Sequence, residues 1–361
     1  MSLLQLPPET LIQIFDHVSS SYFRSDLSRL TVCKQWSKFA HTACFRHFNV
    51  TQTTLQRLLS SPHVEIGLSL VKDSVETLDL DLKGFENWDS PPLPYHDAQA
   101  VRLLDASTWN DSRGYAERTA WTTELNNHLL HLAAIIKPSR KLRTLSIQAT
   151  VELHPLLPLL TRRDYLNSST VCTLLSVGNL TSLELDLWVT QLITPHQSEE
   201  HGERSHVCTS IAALLTTLRR LRLHMRSICA DVLKPRQHST SLRLDEVLIN
   251  LSLFSESPLT TSATHAACCI SSPGSALGFL QLEADMEEQA QVLVTQMAAQ
   301  KVVRVLTHRL SDFKMRAFEV LTGRNVMLNE GAEWDDDGEA VEDQVSEEES
   351  EISSLSSDED E

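Results

Sequence analysis

The stretch Leu180-Thr181-Ser182-Leu183-Glu184-Leu185-Asp186-Leu187 places leucine at every second position from Leu183 onward, with Glu184 and Asp186 between them. A strand sends alternate side chains to opposite faces, so the leucines are expected to enter a core and the acids to face outward. The frame recurs at Val75-x-x-Leu78-x-Leu80-x-Leu82, Leu142-x-x-Leu145-x-Ile147 and Leu218-x-x-Leu221-x-Leu223, with weaker copies at Leu242-x-Leu244 and Leu248-x-x-Leu251-x-Leu253. Counted from the second apolar position of the frame, the steps are 67, 38, 38 and 30 residues. Helical runs at Glu124–Ile136, before Pro138, and at Cys208–Leu215 return the chain between copies. A strand with its return cannot bury its apolar face alone, and stacking such units makes one parallel sheet. The alternative is an ordinary α/β domain whose Leu-x-Leu pairs are simply buried strands.

The uneven steps imply inserts near 86–118, 194–206 and 255–278. The first carries Trp88, Trp109 and three prolines with little periodicity. Its aromatics either anchor a bound protein or pin the loop to its own domain. After the third, Leu280-x-Leu282 is expected to end a strand and Met286–Met297 to form a helix. Val302–Leu306 reads as a strand or buried turn. A last strand is expected over Phe313, Met315 and Phe318-x-Val320, then a turn at Leu321–Arg324 and a short apolar end at Val326–Leu328. Thr51–Ser61 reads as a short linking helix.

Of the 48 acidic residues, 16 lie between Glu330 and Glu361, a stretch without Lys or Arg, so the formal charge of −17 belongs to the tail. The remaining 32 acids against 31 basic residues leave the body near neutral, without a nucleic-acid footprint. The tail has too little apolar surface to offset the entropy of ordering. Ser346, Ser356 and Ser357 in it each have an acid three positions on, the context an acidophilic kinase prefers.

The first residues lack a signal-peptide pattern and no apolar run is long enough to span a bilayer, so no membrane partner is expected. Seven scattered cysteines, an odd number, fit a reducing compartment, cytoplasmic or nuclear. No phosphate-cradling glycine loop, nucleophile elbow, His-Glu-x-x-His or Cys-x-x-Cys occurs. No catalytic residue, metal or cofactor is therefore expected, and His196, His201 and His206 read as surface histidines. Arg219, Arg220, Arg222 and Arg226 cluster around one copy. They either receive an acidic or phosphorylated partner or belong to a balanced surface that attracts the chain's own tail.

Upstream of the leucine frames, Leu6-Pro7-Pro8-Glu9 opens a helix, with proline where a missing N–H costs nothing. Leu11, Ile12, Phe15 and Val18 recur at helical spacing and Ile14 widens the face. A polar break, Ser19–Ser25, precedes a short element capped by Asp26 with Leu27 and Leu30 buried. A third helix is expected from Val32 to Phe48, with Val32, Cys33, Trp36, Phe39, Ala40, Ala43 and Cys44 in one stripe. Three short helices enclose only a small core, which makes a partner plausible. Packing on the rest of the chain is the alternative.

The run Leu6-Pro7-x-Glu9, Ile14, Val18, Asp26-Leu27, Leu30, Val32-Cys33-Lys34-x-Trp36, Ala40 resembles the F-box motif, over roughly the first eighth of the chain. That resemblance implies a three-helix hook binding the Skp-type linker of a cullin–RING ubiquitin ligase. Linker binding would fall to Leu6, Pro7, Glu9, Leu11, Ile14, Phe15, Val18, Leu27, Leu30, Val32, Cys33 and Trp36. The leucine frames resemble the irregular leucine-rich-repeat arcs behind fungal F-boxes, their steps being longer than the roughly 20–29 residues of regular repeats. The run Phe318–Gly338 is similar to the ending of many filamentous-fungal F-box proteins, with Trp334 as last ordered anchor.

The resulting expectation is an α/β chain in three parts: an F-box at 1–50, an irregular leucine-rich-repeat-like solenoid at 51–329 and a disordered acidic tail at 330–361. It would act as a non-catalytic adaptor presenting an unidentified protein substrate, with Trp88, Trp109 and the four arginines as candidate substrate contacts. The alternatives are a non-degradative F-box scaffold and an interaction module unrelated to ubiquitin.

Overall fold

The computed structural model describes residues 6–18, 20–62, 64–85, 112–150, 164–190, 192–193, 206–236, 241–253, 263–265, 278–308, 314–329 and 332–340. The four full leucine frames form strands, whereas the weaker copy at Leu242-x-Leu244 makes only an isolated bridge from Leu242 to Met297. In chain order the strands are β1 (His47–Thr51), β2 (Thr77–Lys83), β3 (Thr144–Thr150), β4 (Ser182–Leu187), β5 (Arg220–Met225), β6 (Ser227–Ile228), β7 (Glu246–Asn250), β8 (Thr264–His265), β9 (Val302–His308), β10 (Met315–Glu319), β11 (Arg324–Leu328) and β12 (Glu339–Ala340). One sheet of ten strands runs β1-β2-β3-β4-β5-β7-β9-β10-β11-β12, while β6 and β8 pair separately. The seven strands from β1 to β9 in that order are parallel, and β10, β11 and β12 close the sheet antiparallel.

Between these strands lie α4 (Gln52–Ser60), α5 (Val64–Ser74), α6 (Ser112–Ile136), α7 (Ser168–Leu174), α8 (Val207–Leu214) and α9 (Gly278–Val294), with a 3-10 turn at Ala230–Leu233. Their apolar residues, among them Leu55, Val71, Leu129, Val171, Ile211 and Met286, join the inward row Leu78, Leu145, Leu183 and Leu221 in one core. The other face of the sheet is left to the alternate, mostly polar positions.

A repeated backbone joint stitches the copies together. The carbonyl just ahead of β2, that of Glu76, accepts from both Arg143 and Thr144 N–H. That of Arg143 accepts from Thr181 and Ser182, that of Thr181 from Arg219 and Arg220, that of Arg219 from Asp245 and Glu246, and that of Asp245 from Lys301 and Val302. All ten bonds are 2.7–3.2 Å long, so the same corner recurs whatever the insert length.

Several elements differ from expectation. The frame near residue 248 is shifted: Val247 and Ile249 pair with Leu221 and Leu223, so the copy is Leu244-x-x-Val247-x-Ile249-x-Leu251. Leu248 falls on the outward face between Arg222 and Arg304 and is nevertheless buried. Apolar residues on both faces of β7 conceal the alternation that fixes a register. Leu282 belongs to α9, because Leu282, Met286, Ala290 and Leu293 form one buried helical stripe, and the helix ends at Val294, short of the expected Met297. The helix expected from Glu124 begins at Ser112 and takes in the end of the first insert. Helices α5 and α7 stand where the sequence suggested none.

At the N-terminus, α1 (Pro8–His17), α2 (Ser20–Ser25), a 3-10 turn (Leu27–Leu30) and α3 (Lys34–Arg46) enclose a second core of Leu11, Phe15, Phe23, Leu30, Ala40, Ala43 and Cys44. The expected polar break is thus a helix, held by Phe23 against Phe15 with ring centroids 5.6 Å apart. The third helix stops at Arg46 and the chain enters β1 at once, so Phe48 is a strand residue and β1 crosses the boundary drawn at residue 50. Glu76 N–H donates to the Arg46 carbonyl, and Phe45 packs against both cores. At the other end β12 adds Glu339 and Ala340 to the sheet, inside the stretch assigned to the tail.

Candidate interaction surfaces

The N-terminal unit sorts its apolar residues into two sets. Leu11, Phe15 and Leu30 are enclosed, and Leu6, Val18 and Trp36 pack partly against them. Trp36 sets its edge on Phe15 at 4.6 Å and donates its indole N–H to the Arg29 carbonyl. Cys33 caps α3, its sulfur accepting from Trp36 N–H at 3.4 Å. Asp26 accepts from the Ser28 hydroxyl at 2.7 Å and, capping the 3-10 turn, from Ser28 N–H at 3.0 Å, and those two bonds, the hydroxyl's first, hold its carboxyl below the usual range. Leu27 and Val32, expected to be inside, stand 64% and 63% exposed, with Ile12 at 44% and Tyr22 at 47%. Pro7 and Glu9 are exposed and Ile14 is half-buried. The motif residues therefore split into a set that holds the hook together and a set that it displays.

The outward face of the sheet is the second surface. Register places Asp79, Ser146, Glu184, Arg222, Leu248 and Arg304 in one row, and Asp81, Gln148, Asp186, His224, Asn250 and Leu306 in the next. Burial raises the Asp79 and Glu184 carboxyls, in each case against the pull of nearby cations.

The arginines expected to greet an acidic partner are largely engaged within the chain. Arg220 Nε lies 2.9 Å from Glu246 Oε2, Arg222 Nε 2.7 Å from Glu246 Oε1, and Arg222 Nη2 2.9 Å from Asp335 Oδ2. Arg226 Nε donates to the Trp188 carbonyl at 3.4 Å, and Arg219 is exposed at the corner before β5. An acid of the C-terminal stretch thus occupies the patch.

Asp335 belongs to a segment that lies on the outward face. Arg304, which is buried, donates to the carbonyls of Trp334 and Asp336 at 3.4 and 2.7 Å and approaches Glu319 Oε1 at 3.4 Å. Trp334 packs with Leu306, Ala317, Val326 and Leu328, and its ring stands edge-on to His224 at 5.3 Å. The outward face over β5, β7 and β9 is covered in this way, whereas the half-buried carboxylates of β2 and β4 lie outside this cover among the described residues.

Among the described residues, His224 and Asp186 form a candidate acid–base pair. His224 Nδ1 is 3.0 Å from Asp186 Oδ1 and its Nε2 is 2.6 Å from the Ser252 carbonyl oxygen, with Trp188 stacked at 5.7 Å. With both ring nitrogens engaged, none is left to take a proton from a substrate. Ser252 Oγ meets His308 Nδ1 but is itself buried. These contacts brace the face.

Trp88, Trp109, His196, His201, Ser346, Ser356 and Ser357 lie outside the described residues. Sequence reasoning missed Phe23 and Tyr22 as parts of the hook, because the stretch Ser19–Ser25 that holds them read as a polar break, and it counted Ile12 with the apolar face of the first helix, where the side chain is exposed. It also missed that His206 comes beside Cys208 and Cys229, which sit apart in sequence. No described helix is long and apolar enough to cross a membrane. No protein-family model matches the chain, and no curated protein matches it.

Proposed function

We propose that the chain is a non-catalytic adaptor: its N-terminal helices dock a Skp-type linker, and its α/β region presents a protein substrate to the attached cullin–RING ligase. The observation that carries this reading is the exposure of Leu27 and Val32 beside an already closed core of Leu11, Phe15 and Leu30. Leucine and valine standing alone on a surface need no explanation, but two at motif positions on one small unit offer apolar surface suited to a partner's groove. The α/β region is read as an irregular leucine-rich-repeat-like arc, which the recurring corner bonds and the common register support. Its substrate surface is the part of the outward face beyond the Trp334 segment, where Asp79, Asp81 and Glu184 favour a cationic protein segment over the acidic one suggested by the arginines. Catalysis by the assembly is proximity, with no bond made by this chain and no cofactor required. Cytoplasm or nucleus is the setting this role requires, and Ser346, Ser356 and Ser357 are candidate modification sites in the tail.

The test is co-purification with a Skp-type linker. Wild type is expected to retain it. Leu27→Asp combined with Val32→Asp is expected to reduce recovery at least tenfold while the thermal transition stays in place, since both side chains are exposed. Equal recovery from the two proteins removes the adaptor reading. A non-degradative scaffold is the second reading: it retains the linker, yet loss of the chain stabilises no cellular protein.

A further inference from the structure

We propose that His206, Cys208 and Cys229 form a binding site for a thiophilic divalent metal, zinc in the first instance, with the Asp231 carboxylate or a water as fourth ligand. Two short helical starts meet here. His206 is the N-cap of α8 and Cys208 stands in its first turn, while Cys229 is the N-cap of the 3-10 turn Ala230–Leu233 and Asp231 stands in that turn. The pattern His-x-Cys is thus answered by Cys-x-Asp from a separate corner of the chain.

The distances suit one ion. Cys229 Sγ lies 3.9 Å from His206 Nδ1 and 4.0 Å from Nε2, and the ligand atoms of the three residues all fall within 4.8 Å of one another. Bonds of about 2.3 Å to sulfur and about 2.0 Å to nitrogen put tetrahedral ligand atoms roughly 3.5–3.8 Å apart. Closing the remaining gap needs side-chain rotation of under about 1 Å and no change of fold. His206 Nε2 is also 4.0 Å from Asp231 Oδ2, and Lys234 Nζ holds the other oxygen, Oδ1, at 2.8 Å. A bonded outer partner of this kind orients a ligating carboxylate.

The surroundings favour the same chemistry. Both thiols are buried and the histidine is half-buried, so a bound ion would be largely shielded from water. Two sulfurs and an imidazole select zinc or copper(I) over magnesium or calcium. The bound ion would clamp α8 to the corner after β6 and so brace the middle of the sheet. This is independent of linker docking.

The experiment uses the full chain, reduced and stripped with a chelator, then titrated with Co²⁺ and Zn²⁺. One equivalent of Co²⁺ is expected to give the near-ultraviolet band of thiolate-to-cobalt charge transfer, which Zn²⁺ abolishes, and one equivalent of Zn²⁺ is expected to raise the melting temperature. Cys208→Ser and Cys229→Ser should each remove about half the band intensity, and His206→Ala should weaken Co²⁺ binding at least tenfold. Cys172→Ser, in α7, should change nothing. A band that survives Cys208→Ser with Cys229→Ser marks adventitious metal only and overturns the site. Absence of a band in the reduced wild type, or recovery of a Cys208–Cys229 disulfide in its place, overturns it equally. Protection of Cys208 and Cys229 from alkylation by Zn²⁺ in the wild type supplies a readout that needs no variant.

Discussion

Behind the sheet, Leu78, Leu145, Leu183 and Leu221 lie at 0–1% exposure in one row, whereas at the N-terminus Leu27 and Val32 stand out at 64% and 63% beside an enclosed Leu30. The two regions join without a linker, since α3 passes directly into β1 and Phe45 serves both cores. Each strand unit in the sheet has a neighbour to complete its apolar face, so almost nothing inward remains uncovered. The N-terminal unit is too small to bury all its apolar positions, and among the described residues Leu27 and Val32 are left uncovered. An apolar residue hidden by repetition and one left displayed by shortage look alike in sequence. Only their placement relative to neighbours tells the two apart.

The strongest way to break this contrast is to empty each core in turn. Leu183→Ala is expected to cost about 2–5 kcal/mol and to lower the main unfolding midpoint in urea, because row neighbours on β3 and β5 cannot collapse into the gap. Phe15→Ala costs about 3–5 kcal/mol by the same rule, but it should appear as an earlier, separate loss of amide protection in residues 8–46. A single transition for both variants would show that the two cores unfold as one.

A smaller effect tests the cover on the outward face. Arg304→Met strands Glu319 and the carbonyls of Trp334 and Asp336, at about 2–3 kcal/mol. Amide protection in 332–340 should fall while that of β2 to β4 stays unchanged. Unchanged protection in 332–340 would mean that Trp334 holds the segment through Leu306 and Ala317 alone.

The alternation of Leu183, Leu185 and Leu187 made β4 readable, and the same frame gave β2, β3 and β5. It failed at β7, where Val247, Leu248 and Ile249 are consecutive apolar residues and both faces are buried. Period then carries no register, and only pairing with Leu221 and Leu223 decides it. The hook was legible as three helical pieces, yet which motif residues face outward was not, because periodicity ranks Leu27 and Leu30 alike. The cluster at His206 was hidden for another reason: Cys229 arrives from beyond β5, and no local spacing announces a ligand that topology delivers. The engagement of Arg222 by Asp335 was foreseen only as one of two uses for that patch.

The smallest effect concerns a charge at the margin of the large core. Glu287 on α9 is half-buried, and burial raises its carboxyl, with Glu283 adding to the rise and Arg316 opposing it. Arg316 lies 3.8 Å from Glu287 but is shared with Glu283, so its attraction is divided. The folded state therefore holds the Glu287 proton more tightly than the unfolded chain does. That contribution to stability is complete below the ordinary value of 4.5 and fades as pH rises through the raised folded value. Glu287→Gln removes the charge without changing shape, so at pH 7 it should raise the melting temperature slightly. The gap from wild type should close as the solution is acidified toward 4.5. A Glu287→Gln protein that melts lower at neutral pH would mean that the shared Arg316 outweighs burial. In that case the rim of the sheet core, like the display face of the hook, would be held by its partners as much as by exclusion of water.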